Sequence, residues 1–195
     1  MRFTTPLAHW LSWIPLISAL AAVEAAQNVA AVSLALKWPN DLLLSQRKVG
    51  GILCESLFLT PSDPVIVIGV GLNVNVAPDA FPEDLLPIAA SLSETSQQAI
   101  DRNRLVAQFL LELEHCLDEL RSHGSPRLRH AYIERCATLG RRVRVRFANH
   151  DQVTGLAEGI SADGALQIRT LSPHPHSQPM PLLDVRAADV MHLRE

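Results

Sequence analysis

Lys37-Trp38-Pro39-Asn40-Asp41-Leu42-Leu43-Leu44 and, two residues on, Arg47-Lys48-Val49-Gly50-Gly51-Ile52-Leu53-Cys54-Glu55 form the stretch on which the fold and the chemistry both turn. Short apolar runs broken by Pro39 and by the Gly50-Gly51 pair suit a strand, a turn and a second strand. This unit carries two lysines, an amide and a carboxylate, with bare backbone directly after the second lysine. Nucleotidyl transfer needs such a set: cations to offset phosphate charge, a carboxylate to hold a hard metal ion, and glycine so that a substrate can approach the main chain. Taken singly, these residues have a plainer reading, a solvated turn bent by Pro39 and closed by Asn40 or Asp41 on the backbone.

Working outward, the runs 32–36, 42–44, 49–59 and 65–76 are rich in Val, Ile and Leu and read as strands of one sheet. The nearly continuous apolar run from Val65 to Val70 predicts a central strand covered on both faces. Upstream, Leu16, Leu20, Val23 and Ala26 recur at helical spacing among alanines, which predicts a helix over 15–29. The same segment superficially imitates a secretory leader, but Pro15 interrupts its apolar run and Glu24 sits where a cleavage region is neutral. Downstream, 77–101 is a polar, proline-bearing connection. Leu105, Val106, Phe109, Leu110, Leu113, Leu117 and Leu120 then trace the apolar stripe of an amphipathic helix, and a second helix is expected over 126–137.

Gly140 marks a boundary, after which the pattern is all strand. Val143, Val145 and Phe147 alternate with Arg142, Arg144 and Arg146, so the guanidinium groups share one face, most simply a solvated one. Asp163-Gly164 is a hairpin signal between 153–160 and 165–170, and 181–193 adds two short strands. These pieces make a small barrel of SH3-like size. His174 and His176, in the Pro/His stretch 172–179, are two histidines without other ligands and are read as loop residues rather than a metal site.

Composition narrows the setting. The 195 residues are 48% hydrophobic and 19% charged, enough for a packed core, and the net charge of -3 gives no electrostatic reason to expect nucleic acid. Cys54, Cys116 and Cys136 are odd in number and widely spaced, which argues against a disulfide framework or a zinc site and suits a reducing cytoplasm.

The order of the pieces adds a resemblance. Lys37 to Asp41, then Arg47 to Glu55, then Val67-Ile68-Gly69-Val70-Gly71-Leu72-Asn73-Val74-Asn75, followed by Ala90-Ser91-Leu92 and Leu139-Gly140-Arg141-Arg142-Val143, resembles the biotin protein ligases over nearly the whole chain. The fold so implied is α+β. A mixed β-sheet with packed helices, part of the class II synthetase-like biotin/lipoate ligase core, occupies 1–137, and a C-terminal SH3-like barrel occupies 138–195. The implied reaction is ATP- and magnesium-dependent formation of biotinyl-5'-AMP. Biotin is then transferred to a lysine on the biotin carboxyl carrier domain of a carboxylase.

By the same resemblance Lys48 bridges the biotin carboxylate and the α-phosphate and is the catalytic residue. Gly50, Gly51, Ile52, Gly69, Gly71 and Asn73 line the biotin pocket. Lys37, Asn40 and Asp41 face the nucleotide, with Asp41 organising either magnesium or the lysines. A dinucleotide fingerprint at Gly69-Val70-Gly71 is discounted, since Val74 stands where its third glycine belongs.

The family's Ser-Thr-Asn type biotin segment and glycine/arginine-rich loop have no counterpart here, and Met1 to Trp13 reads as starting within the strand before the first helix. Impaired activity is therefore expected. No helix-turn-helix DNA-binding domain and no membrane span are expected, and homodimer formation stays open. Two other readings stand beside the ligase: a lipoate or octanoyl transferase, and a non-catalytic module that pairs through a sheet edge or the barrel.

Overall fold

The computed structural model describes residues 11–60, 63–96, 98–170, 182–186 and 188–193. The expectations about Met1 to Trp10 and about His174 and His176 lie outside the described residues.

Helix α1 (Ile14–Ala30) starts with Pro15 in its first turn and ends at Ala31, which adopts a left-handed conformation and leaves its N–H on Gln27 O. It is buried on nearly every side, so it is a core element of the fold. Among the described residues no helix is long and apolar enough to cross a membrane.

Four strands follow: β1 (Ala35–Lys37), β2 (Asp41–Leu44), β3 (Arg47–Thr60) and β4 (Asp63–Leu72). They form an antiparallel sheet in the order β1-β2-β3-β4. Parallel contacts are confined to two isolated bridges, Leu36 with Cys136 and Lys48 with Ala89. Ser45 and Gln46, both at positive φ, make the two-residue hairpin between β2 and β3.

One sheet face, carrying Leu36, Leu42 and Ile52, joins α1 in the main core. Against the expectation of a central strand at 65–70, β4 ends the sheet among the described residues, and Val67 on one of its faces is 47% exposed. A continuous apolar run does not distinguish a strand buried on two faces from an edge strand with one apolar face left open.

After two short 3-10 turns, Pro78–Ala80 and Leu92–Glu94, come α2 (Arg102–His123) and α3 (Pro126–Arg135). The Asp101 carboxylate caps α2 by accepting from the N–H groups of Asn103 and Arg104. Leu105 and Leu120 of the predicted stripe are buried, but Val106 and Leu110 are both 57% exposed.

The C-terminal strands β5 (Arg142–Arg146), β6 (Gln152–Ile160), β7 (Leu166–Thr170), β8 (Leu182–Val185) and β9 (Asp189–His192) form a second antiparallel sheet in the order β8-β7-β6-β5-β9. Adjacent strands β8 and β9 thus stand at opposite ends of the ladder. Laid flat, five strands would separate them by roughly 19 Å, more than the roughly 14 Å that four peptide steps can span, so the sheet must curl into a barrel. Val143 and Val145 point inward while Arg142, Arg144 and Arg146 point to solvent.

The barrel is docked by the carbonyls of its β6–β7 hairpin. Ser12 Oγ donates to Asp163 O (2.6 Å), Trp13 Nε1 and Ser125 Oγ donate to Ala162 O (both 2.9 Å), and Arg129 Nε donates to Ile160 O. Trp38, 2% exposed, donates from Nε1 to Gly164 O at 3.1 Å. Gly164 has φ +80°, and a Cβ there would lie 2.9 Å from Leu16 Cδ1, so glycine serves both the turn and the close approach.

Trp38→Phe keeps the ring in place but leaves Gly164 O without its donor. It is expected to lower unfolding free energy by about 1–3 kcal/mol, read from urea denaturation.

Candidate active site

Strand register assembles the site. Lys37 stands opposite Asp41, Asp41 opposite Gly51, and Gly51 opposite Gly71, so these four residues form a row on one face across all four strands. The next row, Leu36, Leu42, Gly50 and Leu72, lies on the other face and packs toward the core.

Lys48 precedes Gly51 by three residues, and in a regular strand the two would point to opposite faces. The ladder between β2 and β3 slips instead: Leu42 pairs with Gly50 but Leu43 pairs with Lys48, leaving buried Val49 as the extra residue of a bulge. That slip turns Lys48 onto the face of Asp41 and Gly51.

Its ammonium, on a side chain 55% exposed, forms a close ion pair with Asp41 Oδ1, while Lys37 Nζ lies 3.3 Å from Asp41 Oδ2. A Cβ on Gly51 would sit 3.6 Å from Lys48 Nζ, so the missing side chain keeps the ammonium's surroundings clear. Above Gly71 a Cβ would meet nothing within 4 Å. One carboxylate shared by two ammoniums leaves an excess of positive charge beside bare backbone, an arrangement that attracts anions.

The other predicted residues divide. Gly69 lies on the open face, opposite Leu53, which is 62% exposed. Gly50 does not line the site: a Cβ there would come within 2.4 Å of Gly71 O and 2.5 Å of Leu72 Cδ2, so its bareness serves the approach of β4. Ile52 is corrected likewise. Its side chain is buried in the core on the opposite face, and only its backbone reaches the site, exchanging bonds with Asn40 (Ile52 N to Asn40 O, 2.8 Å; Asn40 Nδ2 to Ile52 O, 2.9 Å).

Asn40 thus closes the turn after Trp38 with one of its amide hydrogens. Asn73 Nδ2 donates to Ala90 O at 3.0 Å, which ties down the segment running beside Lys48. Both Asp41 oxygens are taken by lysines, and among the described residues no group of three or more His, Cys, Asp or Glu side chains could hold a metal ion. Magnesium held by the protein alone does not fit this arrangement, whereas Asp41 as organiser of the lysines does.

Residues that sequence reasoning missed come from the barrel junction. The N–H of Trp38 donates to Thr138 Oγ1 (3.0 Å), and His192 Nε2 lies 3.1 Å from the same oxygen. Burial, then the charges of Lys37 and Arg141, push the His192 imidazole down to about 4, against a small opposing pull from Asp41. No spacing in the sequence announces this contact, because pairing across β5 and β9 is what brings residue 192 back to residue 138. Trp38, by contrast, sits inside the quoted motif.

Residues 6–73 match the model of the biotin/lipoate A/B protein ligase family, and residues 138–192 match that of the biotin protein ligase C terminal domain. The biotin--[acetyl-CoA-carboxylase] ligase of Mycobacterium tuberculosis is 36% identical, over 97% of this chain and 65% of that protein. The bifunctional ligase/repressor BirA of Bacillus subtilis is 32% identical over 80% of this chain and 48% of its own length. The chain therefore spans between about half and two thirds of these relatives. Among solved structures, the biotin protein ligase of Aquifex aeolicus superimposes with a TM-score of 0.79 over 94% of this chain and 76% of that one, at 24% identity. The same protein in complex with biotin and ATP gives 0.75 over 99% of this chain and 74% of that one, at 23% identity. At such identities the likeness speaks to the fold.

Two outcomes follow. Gly50→Ala drives a Cβ into backbone and is expected to destabilise the fold by about 1–3 kcal/mol, whereas Gly71→Ala enters open space and leaves the urea midpoint unchanged. Because the folded-state pKa of His192 lies below its unfolded value, the unfolded chain binds more protons between pH 4 and 6.5. This contribution to stability is present above pH 6.5 and is lost as pH falls toward 4. Replacing His192 by Gln should flatten that part of the stability profile, measured by urea titration at pH 4.5 and 7.

Proposed function

The chain belongs to the biotin protein ligase family, and from that membership we propose that it adenylates biotin and passes the biotinyl group to a lysine on the biotin carboxyl carrier domain of a carboxylase. The observation that carries this reading is the Lys48 ammonium, turned by the Val49 bulge onto the face shared by Asp41, Gly51 and Gly71. In this reading the partial catalytic domain covers 1–137 and the barrel 138–195.

In the first step a biotin carboxylate oxygen bonds to the α-phosphorus of ATP as the bond to the β-phosphate oxygen breaks, and pyrophosphate leaves. Two anions must meet for this. A compact ammonium on a flexible stem, already beside open backbone, can lie between them and follow the charge as it shifts. Lys37 supplies a second cation toward the phosphates, Asp41 keeps the two ammoniums from repelling each other, and Asn40 fixes the turn that carries them.

Magnesium brought in with ATP would offset phosphate charge, while Lys37 and Lys48 supply the protein's own cations there. In the second step the acceptor ε-amine attacks the acyl carbon, the amide forms, and AMP departs with the bonding pair.

Three free thiols suit a cytoplasmic setting. The outer edge of β4, unpaired among the described residues, is the surface we assign to pairing with a second copy of the chain.

The test is biotin-dependent pyrophosphate release from ATP, with calorimetry for each ligand. Lys48→Ala is expected to lower release by about 100-fold or more, and Arg144→Ala, on the solvated barrel face, by less than about fivefold. Undiminished release from Lys48→Ala removes the catalytic assignment. Competition by lipoate in place of biotin would move the substrate to the lipoate branch, and binding of neither ligand would leave an interaction module.

A further inference from the structure

Of the 17 lysines and arginines in the chain, only Lys37 and Lys48 are lysines, and both lie on Asp41. The residue beside Lys48 is an arginine whose own contacts run the other way. Arg47 forms a close ion pair with Glu94, and its Nη1 also donates to Ala89 O at 3.1 Å. Glu94 in turn accepts the Ser91 N–H at 2.9 Å in the capping box of the 3-10 turn Leu92–Glu94. Burial pushes the Glu94 carboxyl up, but the Arg47 guanidinium and the Ser91 N–H outweigh it and hold the group below the usual carboxylate range.

The gripped segment is the one that fixes Lys48. Strand β4 pairs with β3 only as far as Gly50, and residues 88–90 take its place beside Lys48. The Lys48 N–H donates to Ile88 O at 2.7 Å, and Lys48 O accepts the Ala90 N–H at 2.8 Å. Both backbone polar groups of Lys48 are therefore committed to a segment that Arg47 and Glu94 hold on one side and Asn73 on the other.

A bulge leaves one residue unpaired in the ladder and can relax unless its flanks are fixed. Here the flank is fixed by Arg47 and Glu94, whose bonds run to Ala89, to Ser91 and to each other.

We infer that Arg47 and Glu94 are a positioning pair, which clamps residues 88–94 against the β3 bulge and thereby holds the Lys48 ammonium on Asp41. The inference rests on the reading of Lys48 as the reacting lysine, but it concerns where that amine is held. Loosening the clamp lets the bulge relax and releases Lys48 from Asp41. Lys37 is unaffected, because its pairing with Asp41 depends on the β1–β2 register alone.

Competitive labelling with limiting acetic anhydride, read by mass spectrometry, reports the two amines separately in the intact chain, since each lysine falls in its own peptide and no others exist. An amine engaged with a carboxylate must leave it to react. Glu94→Gln keeps an oxygen for the Ser91 cap while removing the charge, and Arg47→Gln removes the two-pronged guanidinium grip without adding a third amine to be labelled.

Both variants are expected to raise Lys48 labelling relative to Lys37 by about threefold, with circular dichroism confirming the fold of each. An unchanged ratio in either folded variant overturns the inference. So does an equal rise at both lysines, which would mark general loosening. Labelling needs no turnover, so a chain that fails to release pyrophosphate yet shows the altered ratio would lose the ligase reading and keep this one.

Discussion

The site depends on one slipped residue. With β2 and β3 in unbroken register, Lys48 would face α1 and the core, and its charge would have to be buried unpaired or withdrawn to solvent, either at a cost of several kcal/mol. Val49 takes the unpaired position instead and is fully buried. A valine at the bulge satisfies the core while the lysine before it serves the opposite face, and the tight hairpin at Ser45 and Gln46 fixes where the count begins.

The same five-residue motif also ties the two sheets together. Trp38 reaches Gly164 and Thr138, while its neighbours Lys37, Asn40 and Asp41 stay with the first sheet. With five donors, Ser12, Trp13, Trp38, Ser125 and Arg129, on the carbonyls of 160–164, the barrel has little freedom to swing. His192 is thereby held close enough to Lys37 and Arg141 to feel their charges. Coupling between the barrel and the face that carries Lys37 and Asp41 then runs through the junction, and the arginine row on the barrel's outer wall faces solvent.

Sequence gave access to most of the elements, because period and punctuation report local structure directly. The helices at 14–30, 102–123 and 126–135 and the barrel strands fall within a few residues of their expected bounds. Side-chain direction was harder to read. Gly50 and Gly51 are adjacent and chemically identical, yet one accommodates the neighbouring strand and the other clears space for the ammonium, a distinction set by register across three strands. Ile52 looked like a pocket wall only because the slip at Val49 leaves no trace in composition. The place of β4 at the end of the described sheet was hidden for a related reason: Val65 and Val67 are as apolar as core residues, and exposure belongs to what covers a strand rather than to the strand.

Asp41 imposes a last constraint. A lone carboxylate between two ammoniums offsets their mutual repulsion but leaves net positive charge, and with the Lys48 side chain 55% exposed its pair contributes little to folding. The arrangement is better suited to binding than to stability. An entering pair of oxyanions would draw Lys48 from Asp41 across a short distance, and Asp41 would still have Lys37 to hold. The exchange replaces one ion pair by others of similar strength, so the ammonium moves without ever being left unpaired in a partly buried site. A single lysine on a single aspartate could not do this, because releasing one would strand the other.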